Sequence, residues 1–252
     1  MKISIAEEYR PLKNEIHNII ENFEVQGRPF NEGQRNSIRI FDLGGKQINI
    51  KSFKIPNAVN KIAYKFFRKS KAERSFNYAQ ILIEKGIGTP APVAYAEEKL
   101  PLTFGKSYYA SEQLECDLTY RELVIQPKYP QHEAILRAFS RFTFHMHEQN
   151  VEFLDHSPGN TLIKLNDGNY QFYLVDLNRM NFRELSFEER MKNFSRLTPK
   201  KEMVQVMASE YAKYIQKPEN EVFEKMWFYT IEFQEKFHRK QRWKKKFRKQ
   251  KP

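Results

Sequence analysis

The residues with the most specific chemistry lie in Asp155-His156-Ser157-Pro158-Gly159-Asn160, in the two short apolar runs that follow, and in Asp176 at the end of the second run. Phosphoryl transfer asks few groups of a protein. One carboxylate must orient an acceptor hydroxyl and take its proton, while an amide and a second carboxylate hold Mg²⁺ against the phosphates. A D-x-x-x-x-N loop before a hairpin, with the next Asp just past the second strand, is expected to bring Asp155, Asn160 and Asp176 into one cleft. Taken singly, Asp155 would be a loop-capping residue and Asn160 a turn residue; the constellation, not either residue, carries the reading. His145 and His147 stand two apart near the end of an apolar helix, so they share no helical face and make a poor metal pair. They read as packing or loop-bracing residues.

The elements that must position these groups fall into two kinds. Ser37–Asp42 alternates apolar and polar residues, Gly44-Gly45 supplies a turn with positive φ, and Gln47–Phe53 alternates again, which predicts a hairpin. Ala72, Phe76, Ala79, Leu82 and Ile83 share one helical face until Gly86 stops it. Two further strands are expected over Thr89–Glu97 and Ser107–Leu114. Beyond Pro130 the pattern turns helical, with Ile135, Phe139, Phe142 and Met146 on one stripe. A second hairpin, Asn160–Leu165 and Tyr170–Val175 around Asn166-Asp167-Gly168-Asn169, interrupts it. Helices are then expected near 187–194, 201–215 and 221–237. The organisation is a β-rich N-terminal part over 1–113, a helical part over 114–235 and a basic tail over 236–252.

Composition sets the outer limits. The 252 residues are 40% hydrophobic, with 21 Phe and 13 Tyr, which is too much apolar material for a disordered chain. A single cysteine, Cys116, rules out an intrachain disulfide and fits a reducing compartment. Neither a signal peptide nor a membrane span is expected from the charged start MKISIAEEYR and the short apolar runs. The net charge of +12 is concentrated: from Lys236 to Pro252 there are ten Lys or Arg and no acid, so the rest of the chain is nearly balanced. That distribution makes the run a local appendage suited to anionic lipid or RNA, or else a solvated basic helix end; it says little about the main domain, for which nucleic acid is not the expected partner. A second cationic segment, Lys61, Lys65, Arg68, Lys69, Lys71 and Arg74, reads either as a wet helix face or as a site for anionic lipid or phosphorylated sugar.

The stretch His147–Asn160, the strand end Leu174-Val175-Asp176, and the segment from Arg35-Asn36 through Lys51-Ser52-Phe53 to Gly86-Ile87-Gly88-Thr89-Pro90 resemble the lipopolysaccharide inner-core kinases, the Kdo/heptose kinase family of Gram-negative bacteria. The resemblance covers roughly residues 30 to 185. It implies an α+β, protein-kinase-like bilobal fold, a β-rich N-terminal lobe and a mainly helical C-terminal lobe, with ATP and Mg²⁺ as cofactors. By the resemblance Asp155 matches the catalytic base, Asn160 the metal-binding amide, and Asp176 the metal-binding aspartate of a DFG-type site. Ile48-Asn49-Ile50-Lys51 looks like the V-A-I-K strand, so Lys51 would contact the α and β phosphates. Lys54 is the rival, on the opposite side of the strand. Glu73 is the candidate carboxylate to pair with that lysine, and the Glu112-Gln113-Leu114 connection would meet adenine through its backbone.

The sequence also departs from the protein-kinase pattern. No G-x-G-x-x-G precedes the first hairpin, Gly33-Gln34-Arg35-Asn36 standing in its place. Phe153 and Leu154 replace the histidine and arginine before the catalytic Asp, and Leu177 and Asn178 replace the residues after the metal Asp. These losses argue against a protein substrate more than against catalysis. The resemblance implies a sugar hydroxyl of the lipid-linked core as the acceptor, with Kdo on lipid A the expected one, and the basic tail is read as attaching a cytoplasmic enzyme peripherally to the anionic inner face of the inner membrane. The alternatives are a kinase-fold enzyme with a protein or soluble acceptor, as in the RIO-like and aminoglycoside kinases, or an inactive kinase fold that binds RNA or lipid.

Overall fold

The computed structural model describes residues 1–32, 36–54, 69–99, 104–166 and 168–248. Gly33 to Arg35, the cations Lys61, Lys65 and Arg68, and the turn residue Asp167 lie outside the described residues. The chain forms two compact units, one of Met1–Glu115 with Leu174–Arg179, the other of Cys116–Tyr173 with Met180–Pro252.

The first unit is built on a six-stranded antiparallel sheet. Its strands are β1 (Lys2–Ile5), β2 (Arg28–Glu32), β3 (Asn36–Leu43), β4 (Lys46–Phe53), β5 (Pro92–Lys99) and β6 (Phe104–Glu112), in the order β1-β5-β6-β4-β3-β2. The β3–β4 hairpin turns at Gly44 and Gly45, whose φ values of 55° and 79° suit the tight two-residue turn that glycine adopts without Cβ strain. Period-two alternation sends Ile48 and Ile50 to one face, where they pack with Ile16, Ile19 and Ile20 of helix α1 (Lys13–Glu21) and with Phe23. Phe53 lies on the other face, with Ala72 and Phe76 of helix α2 (Lys71–Glu84) and with Tyr95. Each such buried side chain contributes about 1.5–3 kcal/mol of apolar transfer free energy.

Helix α2 has a full set of end signals. Ser70 Oγ accepts from the Glu73 N–H at 3.0 Å at the start. At the end Gly86 takes φ 68° while Ile87 N–H bonds to the Leu82 carbonyl (2.8 Å) and Gly86 N–H to that of Ile83 (3.0 Å), a Schellman closure. The strand expected from Thr89 begins only at Pro92. The reason is that Thr89 spends its hydroxyl on the Leu174 carbonyl (2.8 Å) and Gly88 accepts the Leu174 N–H (2.8 Å).

The second unit is mainly helical. Strand β7 (Leu118–Thr119) leads into α3 (Tyr120–Ile125) through a Thr119–Glu122 capping box. After α4 (His132–Glu148) come β8 (Val151–Phe153), β9 (Thr161–Asn166), β10 (Asn169–Leu174, its last residue counted with the first unit) and β11 (Met180–Phe182). Helices α5 (Phe187–Asn193), α6 (Lys201–Ile215) and α7 (Glu219–Arg248) complete it. Ile135, Leu136 and Phe139 of α4 pack against Met203, Val204, Met207 and Tyr211 of α6 and Val222 and Met226 of α7. Helix α7 extends well beyond 237, into the basic segment. Among the described residues no helix is long and apolar enough to cross a membrane.

Two histidines are wholly buried in this unit, and burial pushes both down, His147 to about 3 and His156 to about 4. Both are therefore neutral when folded but titrate near 6.5 when unfolded, so the unfolded chain binds more protons below that value. Stability is fully present above pH 6.5 and is lost as pH falls toward 4 and 3. Between pH 6 and pH 5 the pair should remove about 2 kcal/mol. Urea midpoints at pH 7, 6 and 5 test this; a midpoint unchanged from pH 7 to pH 5 would mean that the histidines protonate inside the fold.

Candidate active site

In the first unit, Lys51 and Asp176 form an ion pair, Nζ to Oδ1 at 2.7 Å, although they stand 125 residues apart in sequence. Lys51 sits on the α2 side of β4, opposite Ile48 and Ile50, and its side chain is 15% exposed. Lys54, the rival, is exposed just past the strand end. Asp176 follows β10 in the left-handed conformation, φ 60°, a region Asp tolerates better than most side chains. That backbone turn lets the same Oδ1 accept from Asn178 Nδ2 at 2.7 Å, while Oδ2 makes no hydrogen bond among the described residues.

Besides Lys51, a second lysine acts on this carboxylate. Half-buried Lys71, at the start of α2, is held below the usual lysine range by desolvation, with Asp176 raising it and Arg179, Lys51 and Arg74 lowering it. Lys71 thus stands within electrostatic reach of one carboxylate and three other cations, an excess of positive charge suited to a polyphosphate. Sequence reasoning missed Arg179, three residues after Asp176, and read Lys71 only as part of a cationic run. Glu73 lies in the first turn of α2, and its ion partner among the described residues is Lys69 at 3.6 Å. The carboxylate on Lys51 is thus that of Asp176, and the expected Lys51–Glu73 pair is not formed in this structure.

The connection after β6 has an uneven supply of free backbone groups. Glu112 N–H bonds to the Ala91 carbonyl and Gln113 N–H to that of Gln47, both at 2.8 Å. Leu114 N–H makes no hydrogen bond among the described residues, which leaves it open to a base edge. The Glu112 carboxylate is engaged by Lys46 (2.6 Å) and by the Tyr9 hydroxyl, and these bonds, Lys46 foremost, hold it below the usual carboxylate range.

In the second unit, β8 pairs with β11, Met180 opposite Phe153, and delivers the chain to Asp155. The Asp155 carboxylate meets Arg196 Nη2 at 2.8 Å, and its backbone carbonyl accepts from Asn160 Nδ2 at 2.8 Å. Asn160 closes a short 3-10 turn begun at Pro158 and keeps its own Oδ1 as an unclaimed acceptor among the described residues. Asn160 in the second unit and Asp176 in the first each keep one unclaimed oxygen of the hard kind that divalent cations take. No group of three or more His, Cys, Asp or Glu suited to a metal ion occurs among the described residues. His147 lies in neither chemical group. It accepts from the Tyr211 hydroxyl at Nδ1 (2.8 Å) and donates from Nε2 to Asn193 Oδ1 (3.2 Å), a packing and bracing role.

Comparison with known proteins adds the following. A model of the lipopolysaccharide kinase (Kdo/WaaP) family matches residues 23–217. None of the curated proteins compared matches the chain. A solved structure of WaaP in complex with acyl carrier protein is similar, with a TM-score of 0.64, 16% identity, and coverage of 95% of this chain and 99% of that one. At that identity the likeness is one of fold, a kinase fold with an antiparallel sheet in the N-terminal part and helices in the C-terminal part.

Proposed function

The chain belongs to the lipopolysaccharide kinase (Kdo/WaaP) family, and from that membership we propose that it transfers the γ-phosphoryl group of ATP to a hydroxyl of Kdo on lipid A. The family match over residues 23–217, which spans every residue given a part in phosphoryl transfer below, carries the proposal. Asp155 orients the acceptor hydroxyl and takes its proton. Lys51 contacts the α and β phosphates, with Lys71 and Arg179 adding positive charge, and the Glu112–Leu114 backbone receives adenine. Asn160 and Asp176 would hold Mg²⁺, which when bound neutralises charge on the phosphate oxygens. In this reading Glu73 is available to Lys51 once Asp176 is engaged elsewhere.

An acceptor of this kind is polyanionic and membrane-bound, so the enzyme needs cationic surface and a means of staying near a bilayer. A cationic soluble acceptor would call instead for an acidic cleft. Purified enzyme with ATP and Mg²⁺ is expected to add one phosphate to Kdo-bearing lipid A and none to lipid A lacking Kdo, as read by mass spectrometry. Transfer to the Kdo-free lipid, or to neither, removes Kdo as the acceptor.

The proposed attachment is supported by α7, which carries the basic segment as a helix through Arg248 with Phe237 and Trp243 exposed on it. Each Lys or Arg near an anionic leaflet contributes on the order of 1 kcal/mol before screening. Deleting residues 236–252 should release the protein from vesicles containing anionic phospholipid and reduce the salt dependence of binding. Equal vesicle binding by the truncated and full chains would refute attachment through the tail.

A further inference from the structure

The loop ahead of Asp155 lacks the histidine and arginine that brace it in protein kinases, since Phe153 and Leu154 stand there. The structure shows a different brace. Three successive backbone carbonyls each accept from a side chain: Phe153 from Asn193 Nδ2 (2.9 Å), Leu154 from Arg196 Nη1 (2.9 Å), and Asp155 from Asn160 Nδ2 (2.8 Å). Arg196 does more than cap a carbonyl. Its second arm, Nη2, lies 2.8 Å from Asp155 Oδ1, and its guanidinium carbon sits 5.6 Å over the ring of Phe233 on α7.

A planar guanidinium presents its N–H groups in a fixed fork, so a carbonyl and the carboxylate of the next residue can be held together at a set angle; an ammonium has no such fork. The Phe233 ring limits rotation of that fork. We propose that Arg196 is the positioning residue for Asp155, fixing the carboxylate rotamer from a segment between α5 and α6 that the family resemblance did not assign. The inference rests on Asp155 being the base, and the test separates the two.

Turnover with Kdo-bearing lipid A is measured for Arg196→Gln, Arg196→Lys, Arg196→Ala, Asp155→Asn and the Asp155→Asn/Arg196→Gln double variant. A carboxylate misplaced by about an ångström costs roughly tenfold to a hundredfold, so Arg196→Gln should lose about that factor in kcat while KM for ATP and for the lipid hold within about twofold. Arg196→Lys should recover only part of the loss, and added guanidinium should restore kcat in Arg196→Ala but not in Asp155→Asn. The double variant should be no slower than Asp155→Asn alone, because a base that is absent cannot be misplaced. Should Arg196→Gln fail to fold, Phe233→Ala, which removes the stack alone, should still lower kcat by about threefold. Unchanged kcat in Arg196→Gln, or a raised lipid KM with kcat intact, overturns the positioning role while leaving the base in place. Normal turnover in Asp155→Asn overturns the base itself. Independently of any acceptor, a crystal structure of Arg196→Gln with Asp155 in its original rotamer would also overturn the proposal.

Discussion

Asp155→Asn should lower turnover by roughly two to four decades and leave ATP affinity within about twofold. Asparagine is nearly isosteric, so it can still accept a bond from Arg196, and the backbone bond from Asn160 to carbonyl 155 is untouched. What it cannot do is take a proton from an acceptor hydroxyl. The loss therefore falls on the chemical step, whereas the phosphate and cation ligands of this reading are other residues. Steady-state kcat together with nucleotide titration decides it, and near-normal turnover removes Asp155 from the role of base.

The second large effect concerns Asp176. Its Oδ1 takes Lys51 and Asn178, and its Oδ2 is the open oxygen on which the proposed cation site depends. Asp176→Ala strips that oxygen and leaves Lys51 and Lys71 without this carboxylate. Some affinity for ATP should persist through those cations, so the informative quantity is the gain in binding when Mg²⁺ replaces EDTA, and that gain is expected to vanish. Alanine is also strained at φ 60°. Asp176→Asn, which tolerates that conformation and can still accept from Lys51, removes only the charge and should lose the Mg²⁺ response too. Asp167→Ala, at a position the sequence alone assigns to the hairpin turn, is the control and should leave the response unchanged. An equal loss from Asp167→Ala and Asp176→Ala would place the cation site elsewhere.

Local pattern made much of the fold legible. Alternation around Gly44-Gly45 corresponds to β3 and β4, the apolar spacing from Ala72 to Ile83 to α2, and the stripe from Ile135 to Met146 to α4. Short elements were not legible. Strands of two or three residues such as β7, β8 and β11 are too brief to show a period, yet β8 and β11 deliver Asp155. Helix α1 is only nine residues long, and the one signal that could have found it is Ile16, Ile19 and Ile20 at i, i+3 and i+4.

The sequence by itself determined the residue types available for chemistry, the alternation that puts Lys51 on the side of β4 opposite Ile48 and Ile50, and the concentration of charge in the C-terminal segment. Only the tertiary structure decided which groups meet. Asp176 faces Lys51 because of a left-handed backbone turn that no periodicity announces, and Glu73 is drawn to Lys69 because it sits in the first turn of its own helix. Arg196 reaches Asp155 from 41 positions further along the chain, from a connection with no pattern of its own. The physical reason is one of range. Side-chain periodicity reports which face of an element is buried, and it acts over a few residues. The partner of a charged group depends on where the packed core brings distant segments together, and on backbone angles that only the packed core holds in place.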